Sequence, residues 1–262
     1  EKIAGYKGKG PSTSSKKGLQ AEQLEDALEL RTKHVVLNIT ADTLFTTDKT
    51  NAITYKYRGK KYYFNPGTVQ NFDDQIKAYN SAGAKVTVIL LIPNNTASSV
   101  SAMRYQCPEN TKYSSFKTSS RKSSAMFEAM MTFLAGRYSN KESLVMGWIL
   151  GNEVNSPGIW NYGGNVSMSK YMSNYARAYR IAYNAVKSAS KYSNVYISLD
   201  HNWNLDADND GNKYFTAKST LDTFYQTVNK YGKVPFKIAF HAYPQGLADP
   251  VFWDDSMAVN SD

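Results

Sequence analysis

Cysteine is almost absent from this chain: Cys107 is the single one in 262 residues. That excludes an internal disulfide framework and any multi-cysteine metal site. A chain of this length buries enough core to need no such staples. Long apolar runs are missing too. None approaches the ~20 residues that cross a bilayer, so no membrane span is expected. The opening Glu1-Lys2-Ile3-Ala4-Gly5 lacks both the basic region and the apolar stretch of a signal peptide, and reads as the interior of a longer precursor. Neither Gly-x-Gly-x-x-Gly nor the Walker pattern occurs, which argues against a nucleotide-binding loop.

What the chain does have is positive charge and tyrosine. Lysine and arginine number 31 against 22 acids, a formal charge of +9. Such a balance suits a polyanionic partner, yet the lysines are scattered through Ser/Asn/Tyr-rich loops rather than gathered on one helix face. They read as a solvated surface, with no nucleic acid as partner; an acidic glycan or an anionic cell wall stays open. The twenty tyrosines fit either a sugar-binding cleft or half-buried positions on helices and strands.

Short β-branched runs alternate with longer amphipathic stretches. Strands are predicted at 34–39, 85–92, 144–150, 195–199 and 236–240, with Lys17-Gly18-Leu19 as a short first strand. Helical stripes fall over 20–32, 69–79, 126–138, 167–190 and 221–228, and Arg58-Gly59 between aromatic runs predicts a hairpin. The run Val86–Ile92 is nearly continuous, as a parallel sheet covered on its outer face requires. Alternating strands and helices with polar residues just after each strand make an α/β protein, barrel or open sheet, and in both chemistry gathers at the carboxyl ends of strands.

Three such ends carry chemistry. Trp148-Ile149-Leu150-Gly151-Asn152-Glu153 brings an amide and a carboxyl group out of a buried strand. Beside a low-dielectric wall such a carboxyl binds its proton more tightly and suits general-acid work, while Asn152 can donate to a sugar hydroxyl. The bland alternative is an acid at a helix start. In His241-Ala242-Tyr243 the imidazole and phenol face the same side; they fit either a pair that holds a carboxylate nucleophile by hydrogen bonds or ordinary half-buried packing. Asp200-His201-Asn202-Trp203 places three polar groups and an indole after another strand, with hydrogen bonding of Asp200 to loop amides as the rival reading. Asn38, Asn94 and Asn95 hold matching positions after their strands, and Trp160 and Tyr162 fit a subsite wall.

The Gly151-Asn152-Glu153 strand end resembles the strand-four motif of the clan A retaining glycosidases, which include cellulases, mannanases and β-glycosidases. In that clan Asn-Glu ends strand four, with the glutamate as acid/base, and His-x-Tyr commonly ends strand six; in the count above both motifs fall in those slots. Ser198 to Trp203, Tyr214-Phe215-Thr216 and His241 to Pro244 further resemble a bacterial glycosidase-like domain family, over essentially the whole chain from Gly18. The resemblance implies a (β/α)8 TIM-type barrel, a retaining hydrolase of β-glycosidic bonds in a polysaccharide or oligosaccharide, catalytic roles for Glu153, Asn152, His241 and Tyr243, and sugar contacts from Asn38, Asn94, Trp160, Asp200, His201, Asn202 and Trp203. A non-catalytic glycan-binding protein on the same scaffold is the alternative. A secreted or cell-surface location follows from the substrate class.

The clan's nucleophile is a glutamate after strand seven, and no glutamate follows Glu153 here. Residues 1–16 are therefore read as an N-terminal loop segment and 17–262 as an incomplete barrel without strands seven and eight. Its open sheet edges await a missing segment or a partner chain. No cofactor is expected. Asp206, Asp208 and Asp210 match the first half of a calcium loop, but Ala217 stands where its bidentate glutamate belongs, and a polar turn explains them more simply.

Overall fold

A computed structural model describes residues 5–95, 97–205 and 213–243. Six strands form one all-parallel sheet: β1 (Gly18–Gln20), β2 (His34–Thr40), β5 (Lys85–Leu91), β6 (Val145–Leu150), β7 (Asn194–Leu199) and β8 (Lys237–Phe240). Their spatial order follows the chain without reversal, as a barrel winds and a doubly wound sheet does not. The helices α1 (Leu24–Glu29), α3 (Pro66–Ser81), α4 (Arg121–Arg137), α5 (Met168–Ala189) and α6 (Ala217–Asn229) alternate with these strands. The protein is thus α/β, with a sheet that forms most of a TIM-type barrel wall.

The two faces of the sheet differ. Val35, Leu37, Val88, Leu90, Trp148, Leu150, Ile197 and Leu199 point outward and merge with the helices into the main core. Alternate residues Ile89, Leu91 and Ile149 point inward as a small separate cluster, joined by Tyr113 and Tyr196. Period-two alternation does this sorting. Many of the tyrosines belong to the outer core. Tyr171, Tyr175 and Tyr179 recur every fourth residue along α5 and are fully buried, which places them on one helical face. Their hydroxyls donate to backbone carbonyls of Asn161, Leu150 and Val195 at 2.9, 2.8 and 2.6 Å.

Local chemistry sets the element ends. Asn65 caps α3, its side chain accepting from the amides of Gly67 and Thr68, with Pro66 in the first turn. Ser120 and Ser123 form a reciprocal cap on α4. The helix predicted over 20–32 is only six residues long, because Arg31 takes a left-handed φ of 51° just past its end. A short helix α2 (Ala41–Leu44) leads from β2 to the hairpin of β3 (Ile53–Tyr57) and β4 (Lys60–Phe64). Arg58 and Gly59 both have positive φ at its turn, as a tight two-residue hairpin requires. The hairpin packs on α4, where Phe64 stacks on Phe133 at 4.0 Å.

Among the described residues β1 pairs only with β2, and β8 only with β7. Ile238 and Phe240, on the outer face of β8, are exposed.

Candidate active site

The end of β6 is fixed before any functional side chain leaves it. Leu150 receives the Tyr175 hydroxyl, and the Gly151 amide donates to the Leu90 carbonyl at 3.0 Å. Gly151 has φ +76°, and a Cβ there would lie 2.5 Å from Asn161 Oδ1. Conformation and space both demand glycine.

Two residues on, Glu153 has φ +39°, a left-handed backbone that costs a non-glycine residue roughly 1–2 kcal/mol and persists only where neighbours hold it. Here they do. The Glu153 amide donates to Ser198 Oγ at 3.0 Å, and the Val154 amide to the Ser198 carbonyl at 3.0 Å. Beyond it, Asn155 is 0% exposed. Its Nδ2 donates to Asp200 Oδ1 at 2.7 Å and to the Phe215 carbonyl at 3.2 Å, while its Oδ1 accepts the Asp200 amide at 2.9 Å. Ser156 and the Asn202 amide also donate to the Asp200 carboxylate. The loop after β6 is thereby bolted to the end of β7.

The Glu153 side chain turns into the barrel mouth, where the residue is 8% exposed. His241 Nδ1 lies 2.7 Å from Glu153 Oε1. No hydrogen bond to Oε2 is present among the described residues, and Glu153 lines a cleft of about 390 Å³ over the inward cluster. Ile89 and Leu91 form its floor, Asn38 and Asn152 contribute amides, and Gln20 closes one side. Trp160 stands on the wall with Tyr113, their rings stacked at 6.1 Å. Tyr243 also lines the cleft, 5.6 Å from the His241 ring. Burial and the nearby Glu153 charge push its phenol above the usual range, so it faces the cleft as a hydroxyl donor.

The structure therefore gathers Glu153, Asn152, His241, Tyr243, Asn38 and Trp160 around one cleft. Other sequence candidates lie elsewhere. Asp200 is buried in the bolt just described, which is its rival reading realised. Asn94 anchors a loop through the Pro108 and Thr111 carbonyls. Asn202 accepts the Ala217 amide. Trp203 packs edge-on against Phe240 at 6.1 Å, beside the outer core rather than in the mouth. His201 meets the Tyr243 ring at 5.9 Å, with its Nδ1 buried and unpartnered among the described residues. Asp206, Asp208 and Asp210 lie outside the described residues. Sequence reasoning missed Ser198, Asn155 and Tyr113. Ser198 stands in the run that carries the family resemblance, but nothing local marks it as a partner of Glu153 and His241, and nothing local marks the roles of the other two.

The site is a carboxyl group paired with an imidazole at the carboxyl end of a parallel barrel wall, beside an aromatic pair. Residues 9–262 match the model described as "Family of unknown function (DUF5722)", and the chain belongs to that family. No curated protein matches it. Solved structures similar to it include Fpglu1 from Fervidobacterium pennivoraus (14% identity, TM-score 0.49, covering 83% of this chain and 48% of that one). Another is a family 1 β-glucosidase from Thermotoga maritima (12%, 0.49, 83% and 52%). A third is GH5_18 from Bifidobacterium longum subsp. longum (14%, 0.44, 74% and 40%). The chain spans about half the length of the first two.

Proposed function

We propose that this domain is the acid/base-bearing part of a β-glycoside hydrolase acting on a polysaccharide or oligosaccharide, with Glu153 as the proton donor. One observation carries the reading: a nearly buried carboxyl group, held in a strained backbone at a strand end, turns one oxygen to His241 and lies over an apolar cleft floor. Strain of this kind, locked by buried partners, gathers at functional sites. In the reaction Glu153 protonates the departing glycosidic oxygen, and its carboxylate then takes a proton from water. Trp160 and Tyr113 offer ring faces to the sugar, and Asn152, Asn38 and Tyr243 meet its hydroxyls.

Retention of configuration requires a second carboxylate about 5 Å from the first. No other carboxylate lines the cleft among the described residues, so in this reading the nucleophile comes from outside them. That same observation favours a second reading, a glycan-binding scaffold without turnover.

Turnover of a β-linked oligosaccharide and of an activated aryl glycoside by the whole parent protein separates the two. Glu153→Gln should abolish the first, and azide should restore the second. Unimpaired hydrolysis by that variant refutes the assignment. Sugar binding with no turnover, indifferent to Glu153→Gln, identifies the scaffold. Placement outside the cell follows from the substrate class and belongs to the same proposal.

A further inference from the structure

Three contacts close a ring at the site. The Glu153 amide lies 3.0 Å from Ser198 Oγ, Ser198 Oγ lies 3.4 Å from His241 Nε2, and His241 Nδ1 lies 2.7 Å from Glu153 Oε1. Serine, imidazole and carboxylate in this order resemble a nucleophilic triad, but Ser198 does not serve as one. It is 0% exposed, it does not line the cleft, and its oxygen is already engaged by an amide.

The donors settle what the ring does. An amide only donates, so Ser198 Oγ accepts from Glu153. Its own proton then goes to Nε2, and the neutral imidazole carries its hydrogen on Nδ1, donating to Oε1. An imidazolium would point an N–H at Ser198 Oγ instead. The hydroxyl proton would then be turned out of the ring, in a buried residue with no other acceptor among the described residues. A buried hydroxyl without an acceptor is costly.

Taking Glu153 as the acid, as proposed above, we infer that Ser198 is a positioning residue. It accepts the Glu153 amide and donates to His241 Nε2, which fixes the ring as an Nδ1–H donor aimed at Glu153 Oε1 and leaves Oε2 without a partner among the described residues. With Oε1 accepting from His241, the proton that Glu153 delivers as an acid is one carried on Oε2. The groups facing the imidazole are Glu153 from the end of β6, Ser198 from β7 and Tyr243 from its own segment, with His201 behind Tyr243. Asp200 is turned away into Asn155 and Ser156, and no lysine or arginine lines the cleft among the described residues.

The test is the long-range proton–nitrogen spectrum of the chain's three imidazoles, with His241 assigned by His241→Gln. The wild type should show Nδ1 protonated and Nε2 bare. In Ser198→Ala the Nε2 resonance of His241 should move toward that of an imidazole nitrogen that accepts no hydrogen bond; Ser198→Thr, which keeps the hydroxyl, should restore it. Ser198→Cys, a weak donor of similar size, carries the same test if the alanine variant fails to fold. An Nε2–H tautomer in the wild type, an unmoved Nε2 resonance in the folded variants, or covalent labelling of Ser198 by a fluorophosphonate would overturn the inference. No substrate enters these readings, so absence of glycosidase turnover would sink the functional proposal and leave this result standing.

Discussion

The outer and inner faces of this sheet are built from the same strands and obey different rules. Outside, Val88, Leu90, Trp148, Ile197 and Leu199 join a continuous core beneath four long helices, each side chain supported by many others. Inside, three aliphatic residues make a floor, and above it each polar group has one or two irreplaceable partners. The outer face specifies the fold by redundancy. The inner face concentrates chemistry in residues that the fold does not need for its own stability, and the difference predicts which damage goes where.

The sharpest separation should come from Glu153→Gln. General acid catalysis contributes roughly 10²–10⁴-fold, so turnover of substrates with poor leaving groups should fall by that order while the melting temperature barely moves. Enzyme kinetics beside a thermal melt reads both. Phe224→Ala on the outer face should do the reverse. Phe224 is fully buried among Tyr175, Tyr179 and Phe236, and losing such a ring costs about 3–5 kcal/mol. Urea unfolding should show that loss, with the pH profile of any activity unchanged.

Asn155→Ala should blur the comparison, because this residue links the two faces. It leaves Asp200 and the Phe215 carbonyl short of donors in a buried place, at about 1–3 kcal/mol for such a group. It also releases the loop that holds Glu153 left-handed, so stability and activity should fall together; intact activity in a destabilised variant would show that the bolt does not reach the acid. The smallest effect per residue is set by alkali. Burial pushes the phenols of Tyr171 and Tyr179 well above the ordinary tyrosine value of about 10. Their protonated forms are favoured in the folded state, so their stabilisation is complete below pH 10 and is lost as pH rises beyond it, when the unfolded chain ionises first. Each should contribute about 1.4 kcal/mol per pH unit, and Tyr179→Phe should flatten the alkaline limb of the stability curve by that slope.

Legibility in sequence divides along the same line. The strand ending at Leu150 and the helix carrying Tyr171, Tyr175 and Tyr179 were plain from periodicity, because burial against one layer imposes a repeat on neighbouring residues. That Glu153 and His241, 88 positions apart, share one mouth is legible by counting the strands of a barrel in order; the bond between them is not, since the sequence suggests the imidazole for a nucleophile instead. Ser198, Asn155 and Tyr113 escaped, since what makes them matter is a contact from a distant element. Trp203 misled for a related reason: the chain turns outward after β7, and an indole that suits a sugar equally suits the outer core.

If Glu153 is the acid, its Oε2 faces the bridging oxygen of a bound sugar. A crystal structure of the Glu153→Gln protein with a β-linked oligosaccharide tests it directly. The bridging oxygen is expected within about 3.2 Å of the new amide, with a ring of the sugar against Trp160. A sugar seated on the outer helices, with the mouth between β6 and β8 empty, would contradict it.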